Sequence, residues 1–416
     1  MPSKSYKAAE SALSGIRVLD LSDRFGYYIG KLFGDMGADV ILVEKPGGCS
    51  LRGELPVLDG CYSSNTSIPF NCLNTSKRSI VLDLCEPTDR NVFNALIAQT
   101  DLVIEDFAPG VARELGLDYE SLAARRPSVV VTSVTPFGQS GPYSNFAADD
   151  LSLLAMGGFL TMMGYPGEAP TQTYGNQAVA MGCSLGAVGA MIAVIAAQND
   201  GIGQHVDVSI QQCVTQALEN ALQTYDLQGI VRTRFAGIQR HAGTGVFECS
   251  DGYIYLFAGG IGASRFWKNL VKWLRDENVV GSEILTTEPW QNIAYLDTAE
   301  AKDIFNSIFP SFAILRSKEQ LYREGQARRV PVSPVNNPGE VVRNQQLQYR
   351  NFFVRVPHAG IGRDLIMPGS PFSASLSPGR ISRPAPELSQ HRDEILSSLG
   401  KMKAAVKSSS SRARAV

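Results

Sequence analysis

The chain has 416 residues, 44% hydrophobic and 19% charged, with 39 Gly and 22 Pro; this length calls for one large domain and a smaller one, and the composition excludes a largely disordered chain. A formal net charge of -2 without a basic stripe gives no electrostatic ground for a nucleic-acid partner. Seven cysteines, none in a C-x-x-C pair, suggest neither a disulfide framework nor a zinc or other metal site, and no apolar leader precedes the first strand pattern, so the expectation is a cytoplasmic protein with reduced thiols.

Through the first 150 residues strand and helix patterns alternate. "IRVLDL" reads as a buried strand, "YYIGKLFGDMGA" as a helix ending at Gly37, and "DVILVEKPGG" as a strand running into a Gly-Pro turn; "SIVLDL", "DLVIEDF" and "SVVVTSV" are three further β-branched runs. That alternation predicts a parallel, doubly wound sheet with ligands at the carboxyl ends of its strands. Residues 173–199, "TYGNQAVAMGCSLGAVGAMIAVIAAQN", contain no acid, no base and no histidine. Twenty uncharged residues from Ala178 to Ala197 are long enough to cross a membrane, but Ala, Gly and Ser dominate, and the reading is a buried core helix with Ala178, Gly182, Gly186 and Ala190 on one close-packing face.

"GQHVDVSI" is a sixth strand, and "QQCVTQALENALQTY" is expected to form one long helix leading out of the first domain. From residue 226 to 329 a smaller α+β domain is expected: "GTGVFECSDGYIYLFAGG" reads as a hairpin turning at Ser250-Asp251-Gly252, and "SRFWKNLVKWLRDE" places Phe266, Trp267, Leu270, Val271 and Leu274 on one helical face. The Pro-rich text from Val330 suits a linker returning to the large domain over 330–400, and residues 401–416, with four consecutive serines, are expected to be a disordered tail.

Taken in order, "GIRVLDLS", "GKLFGDMGADVILVEKPGG", "LNTSKRSIVLDL", "EDFAPGVARELGLDYESL", "TPFGQSGPYS", "GIGQHVDVSI" and "VPVSPVNNPGEVVRNQQLQYRNFF" resemble the motifs of the family III CoA-transferases, the group of formyl-CoA transferase, carnitine CoA-transferase and α-methylacyl-CoA racemase. The resemblance implies a Rossmann-like large domain built from both chain ends, an inserted small α+β domain and two subunits interlocked like chain links. It also implies coenzyme A or acyl-CoA as substrate, without a metal. By its motifs, Lys45, Asn74, Lys77, Arg78, Asp106, Phe107 and Arg113 stand where relatives approach the nucleotide. Two departures weaken that set: Asp106 replaces the usual Asn, and Ala108 the usual cation. Taken alone, Lys77 and Arg78 read as a solvated loop before a strand.

The family's transfer chemistry uses an Asp carboxylate that attacks the donor thioester and carries the acyl group, then the CoA, as covalent intermediates. Matching the segments puts that nucleophile at Asn176 or Val179, and residues 169–199 contain no Asp or Glu at all. The racemase branch needs a His where Asp149 stands; the histidines present, His205, His241, His358 and His391, read as structural or exposed. Asp149, Asp150 and Glu168 are the acids near enough in sequence to substitute, with Asp150 expected instead to cap the helix "LSLLAMGGFL". "FAGGIGA", residues 257–263, resembles a Gly-rich segment that approaches the active site in relatives. The expectation is a non-nucleophilic subunit whose Asp-bearing paralogue completes a hetero-oligomer. It resembles the branch of succinyl-CoA:(R)-benzylsuccinate CoA-transferases, which serves aromatic hydrocarbon degradation. The alternatives are a homodimer with a relocated carboxylate and a non-catalytic CoA-binding or regulatory protein.

Overall fold

The computed structural model describes residues 11–58, 65–234, 239, 241–260, 264–358 and 362–399. The tail 401–416 and residues 261–263 of the Gly-rich segment lie outside the described residues. The chain forms two compact units, the larger from the described parts of Met1–Phe159, Thr173–Asn220 and Gln345–Val416, the smaller from Leu160–Gln172 and Ala221–Asn344.

The larger unit runs β1 (Arg17–Asp20), α1 (Tyr27–Asp35), β2 (Asp39–Glu44), α2 (Ile68–Leu73), β3 (Lys77–Val81), α3 (Pro87–Ile97), β4 (Leu102–Glu105), α4 (Val111–Glu114), α5 (Tyr119–Ala123), β5 (Val130–Thr135), α6 (Asp150–Met156), α7 (Gln177–Asp200), β6 (His205–Ser209) and α8 (Ile210–Gln216). The six strands pair in parallel in the order β3-β2-β1-β4-β5-β6, so the chain reverses direction across the sheet between β1 and β4. Short strands of Val, Leu and Ile suit this because both faces are covered. On one face Leu19, Ile41, Val103 and Val131 pack with Phe93, Leu96, Leu122 and Ile395.

The opposite face carries α7, which packs on α1, β5, β6 and α8. Its small-residue stripe is filled from within the chain. A Cβ at Gly182 would fall 2.8 Å from Ile210 Cγ1, and one at Gly186 would fall 2.9 Å from Ile29 Cδ1. Ala178, Val179, Gly182, Cys183, Gly186 and Ala190 are buried, while Leu185, Val188, Ile192 and Ile195 on the other side of the same helix are exposed. α7 is apolar and long enough to cross a membrane by composition, yet nearly half of it is packed inside this unit.

Two expectations need correction here. The long helix expected over "QQCVTQALENALQTY" is broken, because Glu219 adopts φ 55 and separates α8 from α9 (Ala221–Gln228). Lys77 and Arg78 open β3 rather than a solvated loop, pairing with Val40 and Ile41 in the sheet.

In the smaller unit α9 is followed by β7 (Thr244–Cys249), β8 (Gly252–Phe257), α10 (Ser264–Asp276), α11 (Ala299–Ala313), α12 (Lys318–Ala327), β9 (Val332–Pro334) and α13 (Pro338–Val342). β7 and β8 form the hairpin, with β9 antiparallel beside β8. Trp267, Leu270, Trp273, Phe305 and Phe309 build its core, and the rings of Trp267 and Trp290 stack at 5.4 Å.

The chain then returns through α14 (Gln345–Tyr349) and the antiparallel pair β10 (Phe353–His358) and β11 (Arg363–Pro368). The following segment closes the open β3 edge of the large sheet. Ser76 N–H donates to Arg383 O at 3.0 Å, Val81 N–H to Ser389 Oγ at 3.1 Å, and His391 N–H to Ser79 O at 3.0 Å. An edge strand of exposed amides is thereby covered by the chain's own end.

Candidate functional site

The entrance to α7 is where the motif order places the chemistry. Asn176 is the N-cap residue, without a side-chain cap bond. Val179 is buried. The carboxylate found here comes from α6: Asp150 Oδ1 accepts the Val179 amide at 3.0 Å, and Oδ2 is buried without a hydrogen-bond partner. This corrects the expected cap. Asp149 caps α6 by accepting Ser152 N–H at 2.9 Å, whereas Asp150, one residue further on, points at the first turn of α7 and stands against its positive end. Burial raises the Asp150 pKa against the downward pull of the Val179, Ala178 and Gln177 amides, while its bonds to Ser152 hold Asp149 below the usual carboxylate range.

Cys183, buried one turn in, donates its thiol to Phe25 O at 2.8 Å, and burial pushes its pKa up to about 12. Glu168 belongs to the smaller unit, where its backbone oxygen accepts Arg234 Nη2 at 2.7 Å and its side chain is exposed.

Of the residues expected at the nucleotide, three are turned inward. Lys77 Nζ is wholly buried and donates to Asp20 Oδ2 at 2.7 Å, Tyr27 O at 2.6 Å and Asn74 Oδ1 at 2.7 Å, so all three of its protons are engaged. Asn74 is buried beside it and donates back to Phe70 O. Arg78 forms a fork with Asp39 at 2.7 and 2.8 Å and reaches Glu394 at 3.0 Å, joining β3 to β2 and to the returning segment. Lys45 is 63% exposed but lies 3.2 Å from Asp23. Arg113 is exposed, with only Glu120 at 4.0 Å. Phe107 is half-buried against the core of the larger unit.

Asp106, at the end of β4, reaches across to the turn after β1. Its carboxylate accepts the backbone amides of Asp23 at 2.9 Å, Arg24 at 2.7 Å, Phe25 at 2.5 Å and Gly26 at 3.3 Å. Burial raises its pKa, opposed by those four donors.

A second group was not singled out from sequence. Glu105 is 1% exposed, with its Oε2 accepting Phe107 N–H at 2.7 Å. Burial raises its pKa to about 7, with Ser133 and the Phe107 amide pulling down and Asp106 and Asp207 adding repulsion. Ser133 Oγ lies 2.8 Å from Nε2 of the exposed His205. These groups line a cavity of about 360 Å³ with Arg113, Tyr119 and Gln139. It is separate from the α7 entrance: α7 approaches Val206 and Val208, whose side chains leave β6 on the face opposite His205. The signal in the sequence was an acid closing an otherwise apolar strand.

The model for CoA-transferase family III matches residues 13–392 of the chain. The chain belongs to CoA-transferase family III. It is 36% identical over 388 residues, 93% of this chain and 94% of the relative, to the succinyl-CoA:(R)-benzylsuccinate CoA-transferase subunit BbsE of Thauera aromatica. Identity to the succinate–glutarate CoA-transferase of Agrobacterium fabrum is 30% over 397 residues, 93% and 95% of the two chains. A CAIB/BAIF family protein from Brucella suis superimposes with TM-score 0.80 at 26% identity, covering 94% of this chain and all of that one. Chains of family III act on CoA thioesters, and none of the described residues form a cluster of His, Cys, Asp or Glu suited to a metal.

Proposed function

We propose that this chain is the non-nucleophilic subunit of a hetero-oligomeric family III CoA-transferase, moving CoA from a succinyl-CoA-like donor to an organic acid such as benzylsuccinate. One observation carries the reading: the α7 entrance has Asn176 and Val179 where the family's carboxylate is expected, and the acid that does arrive, Asp150, is held on the Val179 amide. An Asn amide or a Val side chain cannot form an acyl anhydride. A paralogous subunit that keeps the Asp attacks the donor thioester to form a mixed anhydride and expels the CoA thiolate. The thiolate attacks the Asp carbonyl of that anhydride, releasing the donor as its free carboxylate and leaving an aspartyl-CoA thioester. The acceptor carboxylate then runs the same two steps in reverse, freeing the Asp and leaving as its CoA thioester.

The printed description of BbsE as a subunit supports this division of labour. So does the exposed row Leu185, Val188, Ile192 and Ile195, an uncharged helical face that suits burial in an interlocked heterodimer or heterotetramer. The place of work is the cytoplasm, in aromatic hydrocarbon breakdown. A homodimer using Asp150 is the second reading, favoured by its unpartnered Oδ2 at the α7 entrance and opposed by its raised pKa. Purified chain, candidate Asp-bearing paralogue and co-expressed pair are compared for transfer from succinyl-CoA: activity in the pair alone supports the proposal. Transfer by this chain alone, with a hydroxylamine-sensitive adduct on Asp150, establishes the second reading.

A further inference from the structure

The sheet order leaves a crevice at the carboxyl ends of β1 and β4, where the strand order reverses, and doubly wound sheets bind their ligands at that point. The amides of the first turn after β1, with the start of α1 behind them, are the donors that ordinarily take a ligand phosphate there. In this chain they face inward onto one side chain: the four amides from Asp23 to Gly26 converge on the Asp106 carboxylate. The local backbone is shaped for this contact. A Cβ at Gly26 would fall 2.4 Å from Ser22 Oγ and 3.1 Å from Ile104 Cγ2, so a larger residue here would push against Ser22 and the end of β4.

The surrounding cations are also committed. Lys45 is paired with Asp23, which in turn accepts Ser50 N–H at 2.9 Å, and Lys77 is buried on Asp20. Arg24, stacked 5.2 Å over Phe25, is the remaining cation of the turn. A phosphate entering here would find the four amides it needs already taken by the Asp106 carboxylate.

We infer that Asp106 is a specificity-determining residue: it occupies the anion-binding turn at the switch point as a built-in anion and closes it to the phosphates of CoA. This deepens the proposed division of labour, in which the paralogue holds the CoA thioester.

The test is calorimetric titration of the full-length chain with CoA, and with inorganic pyrophosphate as a bare phosphate probe, for the wild type and Asp106→Asn. Asn keeps an oxygen for the amides and removes the charge. CoA affinity is expected to rise about tenfold to a hundredfold in the variant, the range spanned by hydrogen bonds to charged groups, with a parallel gain for pyrophosphate. Equal affinities, or weaker binding by Asp106→Asn, overturn the inference. Amide hydrogen exchange of the wild type covers the case in which the variant does not fold: residues 23–26 should be protected equally with and without CoA, and added protection by CoA also overturns it. Binding and transfer are read separately. A chain that binds CoA on this turn yet transfers nothing alone refutes the closure and leaves the subunit assignment standing; one that transfers alone with the turn closed does the reverse.

Discussion

Replacing Glu105 by Gln tests the electrostatics of the buried acid. The side chain is 1% exposed and its pKa lies at about 7 against an ordinary 4.5. A carboxyl whose pKa is raised by folding is held more tightly as the acid in the native state. The native state is therefore favoured at low pH and loses that advantage as pH rises from the unfolded value through the folded one. At about 1.4 kcal/mol per pH unit, the gap amounts to about 3 kcal/mol lost once both states are ionised. Gln keeps an oxygen for Phe107 N–H and never ionises. Urea unfolding of both proteins from pH 5 to 8 should show the variant gaining on the wild type steadily with pH, reaching an advantage of about 3 kcal/mol at pH 8. Every other residue is the same in the two proteins, so the difference between the curves isolates Glu105. Parallel curves with a constant offset would refute the assignment of burial as the cause.

Lys77→Met should lower stability by about 3–5 kcal/mol, because it strands the fully buried Asp20 without its cation; thermal melts of the two proteins measure it. Gly186→Val should cost about 1–3 kcal/mol by driving a side chain into Ile29 and Val208, read from the same melts. Ile192→Asp changes a side chain that is 62% exposed, so the chain should fold as before while co-purification with the Asp-bearing paralogue is lost.

The alternation of strand and helix was legible because β2, β4 and β5 are short runs rich in β-branched residues and Leu and almost wholly buried, and these patterns need no distant partner to be read. What escaped depended on contacts far apart in sequence. Lys77 looks like a loop cation until Asp20, 57 residues earlier, is seen to take its charge. Asp106 looks like a ligand-facing residue until the turn 23–26 folds onto it. Asp149 and Asp150 differ by a single step along the chain, and only the position of α7 decides which caps α6 and which meets Val179. Glu219 breaks a helix-compatible run through its backbone angle, which the surrounding polar text does not announce.

Residues 169–199 lack any acid, which the sequence displays directly, and the structure adds that Asp150 reaches the start of α7 from α6 while engaged with a backbone amide. The measurement that bears most directly on this account is CoA transfer from succinyl-CoA to benzylsuccinate by this chain alone and by the complex co-purified with its Asp-bearing paralogue. The account predicts turnover in the complex, abolished when the paralogue's Asp is replaced by Asn, and none in this chain alone. Turnover by this chain alone, lost on Asp150→Asn, would contradict it.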